Sequence, residues 1–378
     1  MTASLTGTWM QNVAQSWLIY RLTHSEWLLG LTGFLAHFPT LLLGPLGGVL
    51  ADRFERRQIV ILSQSLFLVQ AVMLAALTLT GRITVPWVLA LAGFQGLVDV
   101  IDRPARQAML IQLAGAEDLL GAISLNSVMF NAARVIGPSV AGVIVARFGE
   151  GIAFSINAIS FLAILFSLFL LRLPPAAAAA DKHPLDHLLE GFQYLRRSPK
   201  VWPLLGISSA VNLAAAPAFV LLPFFADAEF GRGSAGVGFL TAAMGLGAII
   251  GTLGLASRRT NAGLAKVTFF ESLVLGLSLA ALAWAPLFLL AMLAMFAVGY
   301  SIMRQNAATN TQVPTMIDES FRGRVMGVYS MTNVGVLPVG SLGGGALAQA
   351  IGAPWTVFAC GVLCVAAAFA FRHWSARL

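Results

Sequence analysis

Few side chains in this chain of 378 residues can exchange a proton, and they stand out against an apolar background. Asp99 and Asp102 are spaced i, i+3, which puts both carboxyls on one helical face, where partial burial would bring their titration into reach of a working cycle. The plainer alternative makes both acids structural partners of Arg103 and of a nearby basic loop. Glu271 sits about one turn inside an apolar run, within reach of either headgroup water or Lys266. His37, between Ala36 and Phe38, can relay protons near neutrality or can simply be packed. Arg134 lies deep in another apolar run, where a charge must face a cavity or an acid, or snorkel to the surface. This is chemistry that moves protons and binds solutes, with no sign of bond making. The chain has no G-x-x-x-x-G-K-S/T, G-x-S-x-G or H-E-x-x-H pattern, so neither an enzyme nor an ATP-driven pump is expected, and no cofactor.

Neutral polar residues scattered through the apolar runs mark a possible cavity lining: Gln11, Asn12, Gln15, Gln95, Asn131, Asn212 and Asn333, with Arg134 among them. Such groups are costly against lipid and should face protein or a water-filled space. Trp9, Trp17, Phe34, Phe130, Phe219 and Tyr329 lie near them in sequence and would suit a large amphipathic solute, although aromatics at helical spacing also serve packing. Cys360 and Cys364, four apart in an apolar run, read as small packing residues. His183 and His187 have metal-binding spacing, but Leu185, Leu188, Leu189 and Phe192 around them make an amphipathic interfacial helix the better account, and no metal is expected. Gly245-Leu246-Gly247 with Gly251 lies inside an apolar run and is read as helix packing.

The elements that must position these groups are set by composition. Hydrophobic residues make up 58% of the chain and charged ones 10%, against about 25% charged in soluble domains. With a mean hydropathy of +0.83, a soluble globular protein is excluded. Apolar runs at 5–22, 27–51, 59–80, 85–101, 123–146 and 151–171 are followed by a Pro- and Ala-rich linker, then by runs at 202–225, 236–256, 267–284, 287–307, 327–348 and 355–371. An all-α membrane protein of twelve transmembrane helices follows, with domains at 1–172 and 201–378 and a linker at 173–200 that carries an amphipathic helix. The net charge of +7 is spread over short loops, which argues for topology signals and against nucleic acid. Eighteen Lys and Arg fall on one side of the runs. Only Arg21, Arg82, Arg147 and Arg232 fall on the other, so both termini are expected in the cytoplasm.

The halves echo each other. Gly48-Val49-Leu50 returns as Gly251-Thr252-Leu253, and Glu117-Asp118 as Asp318-Glu319. A parallel six-plus-six repeat with a midplane solute site is a transporter architecture. The stretch Gly48-Val49-Leu50-Ala51-Asp52-Arg53-Phe54-Glu55-Arg56-Arg57 resembles the G-x-L-A-D-R-x-G-R-R loop of the major facilitator superfamily, with Glu55 in place of the family glycine. The resemblance implies that Asp52 meets the helix beginning near Gly323 and that Arg56 pairs with Asp102, so that Gly48, Asp52, Arg53, Arg56, Arg57 and Asp102 form a gate. Within the fifth run, Gly137-Pro138-Ser139-Val140-Ala141-Gly142 resembles the G-P-x-x-x-G element of family exporters and predicts a bend or tight crossing.

Further stretches, Gly7 to Gln15, Asp102-Arg103-Pro104-Ala105-Arg106-Gln107 and Arg322-Gly323-Arg324-Val325-Met326-Gly327, are similar to the branch of proton-coupled siderophore and drug exporters. The resemblance implies a monomer in the plasma (inner) membrane that exchanges protons for an amphipathic small molecule. Symport-driven uptake, or a sensor or scaffold that transports nothing, are the alternatives. Only a few residues precede the first run, so the arm and first turn implied by the family are missing and the first span is expected to be short or truncated.

Overall fold

In a computed structural model of the chain, residues 2–115, 118–171, 184–198, 200–256 and 263–375 are described, and among them all regular structure is helical. The helices are α1 (Thr2–Thr23), α2 (Glu26–Arg53), α3 (Arg56–Leu79), α4 (Val85–Ala114), α5 (Leu119–Phe148), α6 (Glu150–Leu170), α7 (Pro184–Arg197), α8 (Trp202–Val220), the short α9 (Leu222–Phe224), α10 (Gly233–Ala256), α11 (Leu264–Ala283), α12 (Phe288–Thr315), α13 (Arg322–Val334), α14 (Val336–Ile351) and α15 (Ala353–Ser375). Among the described residues, 11 segments are long and apolar enough to cross a membrane. Helix α1 is not one of them because Gln11, Asn12 and Gln15 dilute its hydropathy. It is not short, however: its 22 residues rise about 33 Å, a bilayer core's thickness. Large apolar side chains such as Phe166, Leu170, Leu253 and Leu277 point outward in number, as contact with lipid requires.

The chain divides into two compact units. The first comprises Met1–His24, Leu35–Pro184 and Gly233–Gly238. In it α3 packs on α4 and α6, with Ile59, Val60 and Phe67 meeting Val98, Met109, Phe161 and Ile164, and Phe67 stacks on Phe161 at 5.7 Å. Helix α1 lies against α5 and α6. Helix α2 crosses α4 at glycines: a β-carbon on Gly96 would lie 2.6 Å from the Ala36 carbonyl, and one on Gly47 would strike the Val100 carbonyl.

The second unit comprises Ser25–Phe34, Leu185–Arg232 and Phe239–Leu378. Here α11 is sandwiched between α12 and α15, and α8 packs on α14 and α15. The α10–α12 crossing again depends on glycine, with Gly247 and Gly251 against the backbone at Phe296 and Tyr300, and Gly299 against that at Met244. Each unit thus crosses paired helices through glycine backbone contacts that a larger residue would break, but in the first unit the contact is made by Gly47 and Gly96, not by Gly48. The α13–α14 span is interrupted at Gly335. Pro338 explains this, because its ring excludes the carbonyl of residue 334, four positions earlier.

Two expectations need correction. Arg103 and Arg106 belong to α4, which continues beyond its apolar stretch, and Arg304 lies inside α12, within its own apolar stretch; none of the three is a loop charge. The linker helix α7 does not present its whole length to a membrane surface. Its second half docks on protein: Gly191 lies against the Arg324 carbonyl and Val328, Leu195 is fully buried, Glu190 pairs with Arg324 at 2.8 Å, and Tyr194 stacks on Phe321 at 4.7 Å. The expectation for His183 and for the side chain of His187 lies outside the described residues.

Candidate functional site

Arg134 stands midway along α5, the costliest position for a cation in a spanning helix. Its guanidinium lies over the Trp9 ring at 5.6 Å, and Trp9 meets Phe130 edge to face at 6.0 Å. One turn further along α1, Asn12 is exposed and accepts a hydrogen bond from Gln95 Nε2 of α4 at 3.3 Å. Asn131, half-buried one turn before Arg134, donates to the Ser127 carbonyl. Unit one thus carries a cation, two aromatic rings and several side-chain amides near one another on α1, α4 and α5. What holds them together is Gly137: a β-carbon there would lie 2.7 Å from both the Thr6 carbonyl and Trp9 Cβ, so α1 and α5 meet at backbone distance. The same motif makes a second close approach, with a β-carbon on Gly142 placed 3.0 Å from Gly238 Cα. Pro138, buried between them, is accommodated inside a continuous α5. The motif makes two tight crossings.

Gln11 and Gln15 do not join this group. Gln11 is buried, donating to Gln70 at 2.8 Å and accepting from Asn157 at 2.8 Å, so it ties α1 to α3 and α6. Gln15 is buried and donates to the Val88 carbonyl of α4. Successive helical residues are turned by about 100°, so Gln11 and Asn12 fall on different faces, which composition by segment does not resolve.

In the basic loop, Arg57 caps the end of α6, donating to the Leu168 and Phe169 carbonyls at 2.9 and 3.1 Å. Arg53 is exposed at the end of α2. The expected pair of Arg56 with Asp102 is not formed. Asp102 is buried and pairs instead with Arg106, one turn along its own helix, at 3.0 Å, while its Oδ1 accepts from Ser63 and Gln64 of α3 at 2.7 and 2.9 Å. An i, i+4 partner is already at hand, so the acid has no need of one from the loop. Gly48 has no atom within 4 Å of a β-carbon position; the tight approach is one residue earlier, at Gly47. Asp52 lies in the last turn of α2, and its side chain lies outside the described residues. Asp99 pairs with Arg103 at 2.8 Å, and His37 is half-buried on α2.

Unit two holds a different polar group. Asn212 of α8 donates to Asn306 of α12 at 3.1 Å and to Asn333 of α13 at 3.2 Å. Tyr329 shares a 2.8 Å hydrogen bond with Thr309 and reaches the Asn306 carbonyl. Asn212 and Asn333, flagged by sequence, are thus brought together. Asn306 and Thr309 were missed because they fall near the end of an apolar run, where polarity looks like a helix terminus. Glu271 meets neither headgroup water nor Lys266: it is buried and pairs with Arg304 of α12 at 3.2 Å. Arg304 in turn lies 5.1 Å over the Tyr300 ring and donates to its hydroxyl.

A family model described as transmembrane secretion effector matches residues 1–377. The enterobactin exporter EntS of Shigella flexneri is 29% identical over 342 residues, covering 89% of this chain and 80% of that protein. That of Escherichia coli O1:K1 / APEC is 29% identical over 344 residues, with the same coverage. Among solved structures, the nucleoside transporter NupG aligns over 98% of this chain and 96% of its own with a TM-score of 0.78 and 15% identity. A bacterial homologue of the iron transporter ferroportin aligns over 99% and 96% with a TM-score of 0.75 and 17% identity. At those identities the structures establish the major facilitator fold alone.

Proposed function

Since the chain belongs to the transmembrane secretion effector family and is a multi-pass major facilitator secondary transporter of small molecules, we propose that it works as a proton-coupled exporter of an amphipathic solute bearing negative charge, of the siderophore or drug type. The observation that carries this reading is Arg134, a cation at the middle of a span, set over Trp9 beside Phe130, with the hydrogen-bonded amides of Asn12 and Gln95 one turn along α1 from the ring. A guanidinium with aromatic and amide neighbours binds an anionic head while the rings receive an apolar body. The relatives named as enterobactin exporters support outward movement.

In this reading the chain works as a monomer in the plasma (inner) membrane with both termini in the cytoplasm, which the excess of Lys and Arg on one side supports. Halves at 1–172 and 201–378, joined by the linker at 173–200, rock about the solute, and the loop holding Asp52 acts in the gate. Asp99, Asp102, His37 and Glu271 are the groups from which the coupling proton's carrier is drawn. One charge moved across 100 mV yields about 2.3 kcal/mol, which sustains roughly a fifty-fold solute gradient per proton.

The test is retention of siderophores, macrolides and cationic dyes in cells stripped of their own efflux pumps, with and without an uncoupler. Uncoupler-sensitive loss of an anionic class, weakened about tenfold by Arg134→Gln, is expected. Accumulation on energisation would replace export by uptake, and unchanged retention of every class with the protein in the membrane would leave a scaffold.

A further inference from the structure

The acids of the spans are unequally engaged. Asp102 has Oδ1 bonded by Ser63 and Gln64 and Oδ2 set 3.0 Å from Arg106; Asp99 is paired with Arg103 on its own helix. Asp102 Oδ2, like Glu271 Oε2, is buried with no hydrogen bond, but Asp102 Oδ1 accepts two hydrogen bonds whereas Glu271 has only an ion pair. That ion pair sets Glu271 Oε1 at 3.2 Å from Arg304 Nε, which makes no hydrogen bond. A buried intramembrane acid with an oxygen that makes no hydrogen bond has a place for a proton to land.

Its cation is equipped to be let go. Arg304 is supported by Tyr300, through the ring face and the hydroxyl, independently of Glu271. The residue after Arg304 is Gln305, buried with neither amide atom paired. Ser301, Gln305, Thr309 and Gln312 repeat at helical spacing on α12, and all are buried. One end of this file bonds to α11: Gln312 Nε2 donates to Thr268 Oγ1 at 3.0 Å, and Thr268 lies one turn before Glu271. The other side meets the asparagine group through Thr309 and Tyr329.

We propose that Glu271 carries the coupling proton on Oε2, with Arg304 as its exchange partner and the polar file of α12 as its route. The proposal rests on the proton-coupled reading above and names the residue that performs it. Binding a proton at Oε2 makes the carboxyl neutral and leaves the Arg304 cation to Tyr300; release to the opposite side restores the ion pair, and no other bond changes. The charged or titratable groups on the helices packed against this site are Arg304 and Tyr300 of α12, Lys266 of α11, Arg322, Arg324 and Tyr329 of α13, and Arg372, His373, Cys360 and Cys364 of α15; α8 carries none.

The test needs no solute. Purified full-length protein in lipid bilayers is taken between mildly acid and mildly alkaline buffer, and the infrared difference spectrum is read for the carbonyl stretch of a protonated carboxyl. Wild type should show such a band, Glu271→Gln should lose it, Glu271→Asp should keep it at a shifted frequency, and Arg304→Gln should move its midpoint. A band unchanged in Glu271→Gln, or the absence of any titrating carboxyl in wild type, overturns the assignment. Uncoupler sensitivity of wild-type retention decides the parent reading separately: without it, coupling fails even where Glu271 titrates, and with it an unchanged band in Glu271→Gln moves the proton elsewhere.

Discussion

Gly137 and Trp9 pack so closely that a β-carbon on the glycine would lie 2.7 Å from Cβ of the tryptophan. That distance sets the position of the ring beneath Arg134, so one small residue on α5 governs both helix packing and the candidate solute face. Replacing it tests the two together. Gly137→Val should destabilise the protein by about 1–3 kcal/mol, the range for overpacking, and Gly137→Ala by less. Because the displaced Trp9 no longer supports Arg134, the transport KM should rise at temperatures where the variant is still folded. Thermal unfolding in detergent together with initial-rate transport checks both effects. A normal KM in a destabilised Gly137→Val would separate the crossing from the site.

The Asp102–Arg106 pair predicts a contrast between two substitutions. Asp102→Asn leaves Arg106 without its counter-charge in a site where Ser63 and Gln64 were bonded to a carboxylate. A loss of about 1–3 kcal/mol is expected for a buried partner removed from such a set. Arg56→Gln touches none of these atoms and should change stability by no more than about 0.5 kcal/mol, as an ordinary surface change does. Unfolding curves for the two variants decide between this arrangement and a loop-to-acid pair, under which both would fall together.

The helices and their repeat were legible because their causes are local: apolar runs of spanning length, and glycines at matching places in the two halves. The echo of Gly48 in Gly251 pointed to a shared crossing, although the glycine that makes the close approach in the first unit is Gly47. Partners were less legible. Asp102 and Arg106 form an i, i+4 pair that spacing alone permits, yet a resemblance to a known loop drew Arg56 to the acid instead. Arg304 lies near the end of the apolar run at 287–307, where spacing names no partner for it, and only the three-dimensional meeting of α11 and α12 shows it to be the partner of Glu271. Gln11 and Asn12 show the same limit, since facing inward or outward depends on where a helix is rotated by its neighbours.

The last prediction concerns α7. Its anchoring beside the start of α13 combines an exposed ion pair, Glu190 with Arg324, and an aromatic contact of Tyr194 on Phe321, and the Tyr194 hydroxyl also donates to Asp318 at 3.2 Å. An exposed pair contributes little, about 0–1 kcal/mol, whereas a ring contact adds about 0.5–1.5 kcal/mol beyond its buried area. Tyr194→Ala should therefore release the helix far more than Glu190→Gln does. Amide hydrogen exchange should rise in 190–197 and in the first turn of α13 for Tyr194→Ala, and stay near the wild-type level for Glu190→Gln. Equal exchange in the two variants would assign the anchoring to charge, and the effect would then fade in the wild type as salt is added.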